Sequence, residues 1–383
     1  MILSGHMTGR PWDFAVIGCG VMGAATLWAL AKRGAKAVGL DQFSPPHDQG
    51  SSHGRTRLLR VAYAEGEDYT PLAREAIGLW RALEAETGAP IFDQSGVIYG
   101  GAPDNAELAA IARAAARFDV DLRVIGADFR AKIAPEFALP PAFSLLLDAE
   151  GGFLRAELAV KSLLKAAQMR GAALKTDDKV ALVARENDHW RIETTQETLF
   201  AGAIVLACGP YIAEIAPDMT RFLRLQRRVS HWHVAPDGAF DRENGFLPFC
   251  FSLDGHWLYG FPALGDGQIK LGDHHFGADF AAMPALDRRV SAADSVTTDA
   301  FAAHFLPRLG PKIASSVCVY TTSPDEHFVI GMLPERQNAV ILTGFSGHGF
   351  KFAPAIGEIA AKTAMLGTEE AIAPIWRLSR LFG

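Results

Sequence analysis

A glycine-rich turn near the start of the chain constrains its fold more than any other feature. Residues 18–23 have the sequence G-C-G-V-M-G and match the pattern G-x-G-x-x-G. The apolar run 13–18 predicts a short buried strand, and residues 24–33 predict the helix that the turn opens. Residues 36–40 predict a second strand. Together these segments predict a compact βαβ unit.

Each glycine of this pattern has a separate task in binding a dinucleotide. Gly18 makes the turn, Gly20 lets a pyrophosphate approach the backbone, and Gly23 lets the helix pack on the strand. Asp41 ends the second strand, where a carboxylate accepts hydrogen bonds from ribose hydroxyls. A glycine pattern alone is a weak signal, but strand, turn, helix and acid agree here. We therefore predict a dinucleotide site, with FAD and NAD both open.

Composition excludes several classes of function. The chain has 383 residues, enough for two domains, with 49% hydrophobic and 21% charged residues, as in ordinary globular proteins. A net charge of −6 and the absence of a basic run argue against nucleic acid as the main partner. No apolar stretch has membrane-spanning length, and residues 1–11 lack the apolar core of a signal peptide. We expect no membrane association.

Cysteine and histidine spacing predicts no metal site. The cysteines are far apart and form no C-x-x-C pair, so a reduced, cytoplasmic compartment fits best. His231 and His233 share a face of a predicted strand, but no third ligand is visible. His274 and His275 are neighbours on another predicted strand, and we expect them to point to opposite faces.

The rest of the chain alternates between helical and strand-like segments. Helices are predicted at 70–87, 105–118 and 155–170, and a buried parallel strand at 203–207. Alternating segments such as 229–234 and 256–261 predict antiparallel strands. We therefore predict a parallel α/β nucleotide domain that is interrupted by a strand-rich domain.

A second glycine-rich turn, residues 344–351, follows the apolar run 339–343 and precedes a helix-like run at 353–364. This arrangement gathers backbone N–H groups near Lys351 and suits an anion. The sequence G-F-S-G-H superficially resembles the nucleophile elbow of hydrolases, but His348 replaces the glycine required at its fifth position. We therefore reject a hydrolase.

Motifs spread over nearly the whole chain occur in the order that one enzyme family shows. They are PPH at 45–47, GSSHGRTRLLR at 50–60, YGFP at 259–262, IKLGDH at 269–274, VCVY at 317–320, DEHF at 325–328 and the turn at 344–351. On these motifs the chain resembles the monomeric sarcosine oxidase family, D-amino-acid-oxidase-like flavoenzymes that oxidise N-methyl and cyclic secondary amino acids. The resemblance implies FAD, an amine oxidised to an imine, and O2 reduced to hydrogen peroxide.

The resemblance also implies a fold. It is α/β, a Rossmann-like FAD-binding domain with an interleaved α+β substrate domain on a largely antiparallel sheet. The FAD-binding domain would comprise residues 11–92, 158–222 and 322–383, and the substrate domain residues 93–157 and 223–321. By the same resemblance we expect a monomer whose partners are a small N-substituted amino acid and O2.

Residues of the substrate site follow from the resemblance. Arg60 and Lys351 match the pair that grips the substrate carboxylate, and Lys270 matches the lysine beside flavin N5 that activates oxygen. Tyr259, His274 and Tyr320 match the residues that line the substrate pocket in the family. The residues expected to take part in catalysis are Lys270, His274, Tyr259 and Arg57.

The cofactor residues follow in the same way. Cys318 matches the cysteine whose sulfur bonds covalently to the 8α-methyl carbon of the flavin. His53, Thr56 and Arg57 match residues on the flavin face opposite the substrate. The full expected cofactor set is Gly18, Gly20, Val21, Met22, Gly23, Asp41, His53, Thr56, Arg57, Val180, Gly209, Cys318, Gly347, His348, Gly349 and Lys351.

Three departures from the family leave the substrate open. Asp273 stands where an aromatic residue is expected, Arg55 where an acid is common, and Cys250 where a larger apolar residue often faces the pocket. Sarcosine, another N-alkyl amino acid, a cyclic imino acid and a larger opine-like or fructosyl-amino-acid conjugate all remain candidates. A flavin-dependent dehydrogenase is the alternative reaction. An NAD-dependent dehydrogenase and a non-catalytic flavin-binding subunit are the more distant rivals.

Overall fold

The computed structural model of the chain describes residues 11–63, 65–66 and 68–382. Residues 1–10, on which the expectation about a signal peptide rests, lie outside the described residues. The α-helices of the described part are α1 (Val21–Lys32), α2 (Tyr69–Thr87), α3 (Ala106–Phe118), α4 (Ala127–Ile133), α5 (Ala156–Met169), α6 (Ile212–Ile215), α7 (Val296–Phe305) and α8 (Ala353–Leu366). None of these helices combines the length and the apolar character needed to cross a membrane.

Strands form three sheets. They are β1 (Trp12–Ile17), β2 (Ala37–Leu40), β3 (Thr56–Leu59), β4 (Phe92–Asp93), β5 (Val97–Gly101), β6 (Leu122–Val124), β7 (Ser144–Asp148), β8 (Gly152–Arg155), β9 (Ala173–Lys175), β10 (Val180–Glu186), β11 (His189–Thr194), β12 (Thr198–Leu206), β13 (Arg224–Val234), β14 (Phe249–Leu253), β15 (His256–Phe261), β16 (Gln268–Asp273), β17 (Ala278–Phe280), β18 (Lys312–Thr322), β19 (Val329–Met332) and β20 (Ala339–Thr343).

The first sheet brings the two glycine-rich turns together. Its parallel part runs β20–β12–β1–β2–β9, and β10, β11 and β19 add antiparallel pairs. Because parallel strands end at the same edge of a sheet, the turns after β1 and β20 meet there. This edge is where ligands bind in open α/β sheets.

The second sheet is largely antiparallel and is continuous from β17 through β13, β16, β15, β14, β5 and β7 to β6, with β18 also paired to β13. A small third sheet joins β3, β8 and β4. The ladder between β13 and β18 sets Arg228 opposite Cys318 and Gln226 opposite Tyr320. The fold class predicted from the sequence is confirmed, whereas the exact domain boundaries stay predictions.

Helix α1 is buried along nearly its whole length, as its apolar composition on every face requires. It packs against α5 and α8 on one face of the first sheet. At the crossing with α8, a Cβ atom on Gly357 would lie 2.6 Å from the carbonyl carbon of Ala25. Such a distance is too short for any side chain, so Gly357 sets how closely the two helices approach.

We expect Gly357→Ala to destabilise the protein by roughly 1–3 kcal/mol, because the new methyl group must displace the backbone of α1. The matched control is Gly78→Ala in α2, where an added Cβ atom meets no heavy atom within 4 Å. That change should raise stability by up to about 1 kcal/mol, since alanine is the better helix former. Thermal unfolding of both variants measures the difference. Equal melting temperatures would contradict the close helix contact.

Candidate active site

The first glycine-rich turn is closed by Asp41 at the end of β2. The backbone N–H of Cys19 donates to Asp41 Oδ2 at 2.7 Å, and that of Phe43 donates to Oδ1 at 2.9 Å. Beneath the turn, a Cβ atom on Gly23 would lie 1.8 Å from the carbonyl oxygen of Gly18, so only glycine permits this packing. The Val21 N–H at the start of α1 is bonded to Ser52 Oγ at 3.1 Å.

An extended cleft runs from this turn to the turn after β20, and a second cavity adjoins it. Arg57, Tyr320, Gly347 and Phe350 line both spaces. The cleft is lined by the predicted residues Gly18, Gly20, Val21, Met22, Asp41, Arg57, Val180, Gly209, Gly347 and Gly349. The second cavity is lined by the predicted residues His53, Thr56, Arg57, Arg60, Tyr259, Lys270, His274, Cys318, Tyr320, Gly347, His348 and Lys351.

Lys270, on β16, is buried and lines the second cavity. Its Nζ donates to the carbonyl oxygens of Gly54 at 2.7 Å and Thr56 at 3.2 Å. No salt bridge to a carboxylate is formed by Lys270 within the described ranges. Burial, together with the charge of Arg57, lowers the pKa of Lys270 well below its usual range. A nearby anion is therefore needed to keep this ammonium charged.

Arg57 lies beside Lys270 and is also held by carbonyl oxygens. Its guanidinium donates to Thr56 O at 2.8 Å and to Ser51 O at 3.0 Å. The same group lies 5.6 Å from the ring centroid of Phe350. This side chain thus connects the loop before β3 with the second glycine-rich turn.

Arg60 follows β3 and is buried between two aromatic rings. Its Cζ is 4.5 Å from the ring centroid of Tyr63 and 5.2 Å from that of Trp257. It is ion-paired with Glu65, but Arg60 Nη1 and Glu65 Oε2 are buried and have no hydrogen-bond partner in the described part of the chain. Although burial opposes ionisation of Glu65, the charge of Arg60 lowers the pKa of that carboxyl to about 2.

Lys351, in the short helical turn before α8, faces the same cavity as Arg60. Its Nζ donates to Tyr63 Oη at 2.8 Å and to the carbonyl oxygen of His348 at 2.7 Å. Burial and the charge of Arg60 hold the pKa of Lys351 well below its usual range. The Gly344–Lys351 turn thus supplies a buried ammonium whose hydrogen-bond partners are neutral.

Aromatic and imidazole groups form the opposite wall. His274 Nδ1 lies 3.2 Å from Tyr320 Oη, and Tyr259 Oη lies 3.3 Å from Ser230 Oγ. Burial, with the neighbouring His275, lowers the pKa of His274 well below its usual range, so its imidazole is neutral at neutral pH. Gly347 permits the close approach of Tyr320, because a Cβ atom there, at φ +79°, would lie 2.1 Å from Tyr320 Cε2.

The expectation that His274 and His275 sit on a strand and point to opposite faces is wrong. Strand β16 ends at Asp273, and both histidines follow it and line the second cavity. Their ring centroids are 5.4 Å apart. The strand ends there because Asp273 turns the backbone, accepting a bond from the His275 N–H at 3.0 Å.

Cys318, on β18, is the cysteine in the most electropositive surroundings. Burial alone would raise its pKa, but the imidazole of His53 and the charges of Arg57 and Lys270 lower the pKa of Cys318 to about 7. Burial raises the pKa of the other cysteines. A thiolate is therefore most accessible at Cys318.

The departures noted in the sequence have defined partners. Asp273 is buried, is not among the residues lining the second cavity, and accepts a hydrogen bond from His256 Nδ1 at 2.6 Å. Arg55 is half-exposed and ion-paired with Asp266. Cys250 is buried and lines the second cavity.

Metal binding finds no support in the geometry. Among residues 11–63, 65–66 and 68–382, no group of three or more candidate ligands is placed to hold an ion. His231 instead contacts Ser315 Oγ at 2.8 Å and the carbonyl oxygen of Asp294 at 3.1 Å. His233 Nδ1 lies 3.3 Å from the carbonyl oxygen of Gly310.

Comparison with known sequences decides the family. Residues 13–363 match the family described as FAD dependent oxidoreductase, abbreviated DAO. The chain belongs to this family of FAD-dependent oxidoreductases. N-methyl-L-tryptophan oxidase of Salmonella dublin is 36% identical over 372 residues, which are 96% of this chain and 99% of that protein.

Solved structures of the family share the fold at low sequence identity. NikD, described as an unusual amino acid oxidase essential for nikkomycin biosynthesis, superposes with a TM-score of 0.82 at 22% identity, covering 94% of this chain and 95% of NikD. L-Proline dehydrogenase from P. horikoshii gives a TM-score of 0.84 at 19% identity, covering 97% and 98% of the two chains.

The residues of the cleft fit the cofactor of this family. The parallel strand ends, the Gly23 packing and Asp41 are the features that a dinucleotide needs. In the adjoining second cavity, His53 Nε2 and Thr56 Oγ1 are buried without a hydrogen-bond partner among the residues with a described position, so polar atoms are present there for a ligand to satisfy. The roles assigned to individual residues stay predictions.

Sequence reasoning missed several polar groups of the site. Tyr63, Glu65 and Arg228 line or support the second cavity, and Ser52 bonds the start of α1. Glu65 and Tyr63 lie within five positions of Arg60. Their position directly after the GSSHGRTRLLR motif was the sequence signal that could have identified them. Nothing in the sequence pattern indicates that Arg228 Nε donates to the His274 carbonyl oxygen at 3.1 Å.

Proposed function

We propose that the protein is an oxidase of secondary-amine amino acids, with N-methyl amino acids, sarcosine included, as its substrate class. The observation that carries the proposal is the pairing of Arg60 and Lys351 in a cavity that shares a wall with the FAD cleft. Two buried cations on one side of a cavity suit a carboxylate. The N-methyl-L-tryptophan oxidases at 36% identity support an N-methyl amine.

The residues of the cavity would divide the work as follows. Arg60 and Lys351 bind the substrate carboxylate, and Glu65 gives up its bond to Arg60 as the carboxylate arrives. The neutral imidazole of His274 and the Tyr320 hydroxyl border the amine without adding a positive charge that would repel it. FAD, when bound, would supply the redox chemistry by accepting a hydride equivalent from the C–H bond next to the nitrogen, while the nitrogen loses its proton and the C=N bond of the imine forms.

An oxygen electrode tests the reaction directly. With sarcosine and larger N-methyl amino acids, we expect O2 consumption with one H2O2 formed for each imine released. The corresponding primary amino acids should react more slowly, and the N-methyl amides, which lack the carboxylate, should react least. Lys351→Met should raise KM more than it lowers kcat, because it removes carboxylate binding. The absence of O2 consumption with every secondary amine, in FAD-loaded protein, would refute the proposal.

Covalent attachment of FAD through Cys318 is a further part of the proposal, supported by the lowered pKa of that thiol. We expect yellow colour to stay in the pellet when the wild-type protein is precipitated with acid. Cys318→Ala should release its flavin to the supernatant, whereas Cys208→Ala, a change of another cysteine beside the cleft, should not. An acid-stable flavin in Cys318→Ala would show that the bond lies elsewhere.

Lys270 would serve the reaction with oxygen, since a fixed buried cation stabilises the negative charge that O2 gains on reduction. Stopped-flow measurement of the two half-reactions separates this role from substrate binding. Lys270→Met should slow reoxidation by O2 much more than reduction by substrate, by roughly a hundredfold or more. Lys270→Arg, which keeps the charge, should be slowed less. Equal slowing of both half-reactions in Lys270→Met would contradict the assignment.

A further inference from the structure

A hydrogen-bond chain of definite direction runs behind the substrate cavity. It starts at Lys351 Nζ, passes through Tyr63 Oη at 2.8 Å and His348 Nδ1 at 3.1 Å, and ends where His348 Nε2 lies 3.0 Å from the carbonyl oxygen of Glu326. A carbonyl oxygen only accepts, so Nε2 carries the proton of the imidazole. Tyr63, His348 and Lys351 are all buried.

The direction of every bond in the chain follows from that carbonyl. Burial lowers the pKa of His348 to about 4, so at neutral pH its ring holds a single proton, the one on Nε2. Nδ1 is then an acceptor, and the Tyr63 hydroxyl must donate to it. The Tyr63 oxygen in turn accepts from Lys351. Reversing any one bond would leave two donors or two acceptors facing each other.

The same tyrosine also fixes the second cation. The guanidinium carbon of Arg60 lies 4.5 Å from the Tyr63 ring centroid, while Lys351 Nζ is bonded to its hydroxyl. Two of the three N–H groups of Lys351 are thus directed at Tyr63 Oη and the His348 carbonyl oxygen, which leaves one for a ligand. Tyr63 therefore touches both cations that face the substrate carboxylate.

We infer that Tyr63 is a positioning residue that orients the Lys351 ammonium and the Arg60 guanidinium for the substrate carboxylate. This inference rests on the proposed function, because the ligand is the carboxylate of an amino-acid substrate. The ring contacts the Arg60 guanidinium, and the hydroxyl bonds the Lys351 ammonium, which keeps one N–H group free. A site whose donors are already oriented loses less entropy when the anion binds.

Tyr63→Phe separates the two contributions, because it keeps the ring over Arg60 and removes only the hydroxyl. The matched control is Tyr99→Phe, a fully buried tyrosine whose hydroxyl donates to the Ala62 carbonyl oxygen at 3.0 Å, away from Lys351. Both variants lose one buried hydroxyl and should have similar thermal stability. Tyr63→Leu removes the ring as well, so the contribution of Arg60 to carboxylate binding should also fall.

Binding is measured with a probe that cannot react, methylthioacetate, in which sulfur replaces the amine nitrogen, and with its neutral amide. Perturbation of the flavin absorbance in the FAD-containing protein reports the Kd. We expect the Kd of methylthioacetate to be roughly tenfold or more higher in Tyr63→Phe than in Tyr99→Phe, since the lost hydrogen bond is made by a charged group. The amide should bind equally to both variants. With substrate, KM should rise while kcat stays nearly unchanged.

The pH dependence distinguishes orientation from a general loss of structure. The Tyr63 oxygen stabilises the charged form of Lys351, so removing it lowers the Lys351 pKa further, and carboxylate binding should be lost at a lower pH in Tyr63→Phe than in Tyr99→Phe. The titratable and charged groups facing Lys351 are Arg57, Arg60, Tyr63, Glu65, Cys250 and His348.

Three results would contradict either the inference or the proposed function. A Kd and pH profile in Tyr63→Phe equal to those of Tyr99→Phe would overturn the inference, even if both variants oxidise N-methyl amino acids. Equal weakening of acid and amide would also overturn it, since it would mean a general loss of the pocket. If the wild-type protein oxidises no secondary amine, but Tyr63→Phe binds the carboxylate probe more weakly than Tyr99→Phe and the amide equally, the proposed function is refuted and the orienting role of Tyr63 is supported.

Discussion

Positive charge is buried around the second cavity and is held mainly by backbone carbonyl oxygens. Lys270 donates to carbonyls of the loop before β3, and Lys351 donates to that of His348. A carbonyl dipole orients an ammonium but does not neutralise it, so the charge stays available to an anion that enters. Burial lowers the pKa of both lysines well below the usual range, so an anion that enters the cavity stabilises their charged forms.

Three sheets have to cooperate for these cations to meet. The first sheet carries the turn that ends in Lys351, the second carries Lys270 and Tyr320, and the small third sheet starts with Thr56 and is followed by Arg60. Lys270 and Tyr320 lie on strands. Arg60 directly follows a strand, and Lys351 lies in the short helical turn between β20 and α8, so each group is anchored at or near a sheet. Arg60 differs from the two lysines, because its charge is paired with the carboxylate of Glu65 in this structure.

Local patterns predicted most of the elements that position the site. The strand at 339–343 and the strand at 256–261 occur with those bounds, and the helix expected at 24–33 begins earlier, at Val21. Such segments can be predicted because side-chain periodicity and glycine placement are properties of neighbouring residues. The end of β16 before the histidine pair was missed although its signal is local, since the Asp273 carboxylate accepts from the backbone N–H of His275, two positions on.

The sequence by itself determined the chemistry that single positions require. Glycine at 23 is demanded by a carbonyl oxygen on its own turn, and the motifs around Arg60, Lys270, Cys318 and Lys351 indicate the family. Only the tertiary structure decided which groups pair. Tyr63 contacts Lys351 and His348 although 288 and 285 positions separate it from them, and its proposed role depends on which ring nitrogen of His348 faces the tyrosine oxygen. The steric requirement at Gly23 arises within a single turn, whereas the direction of these hydrogen bonds depends on segments that packing brings together.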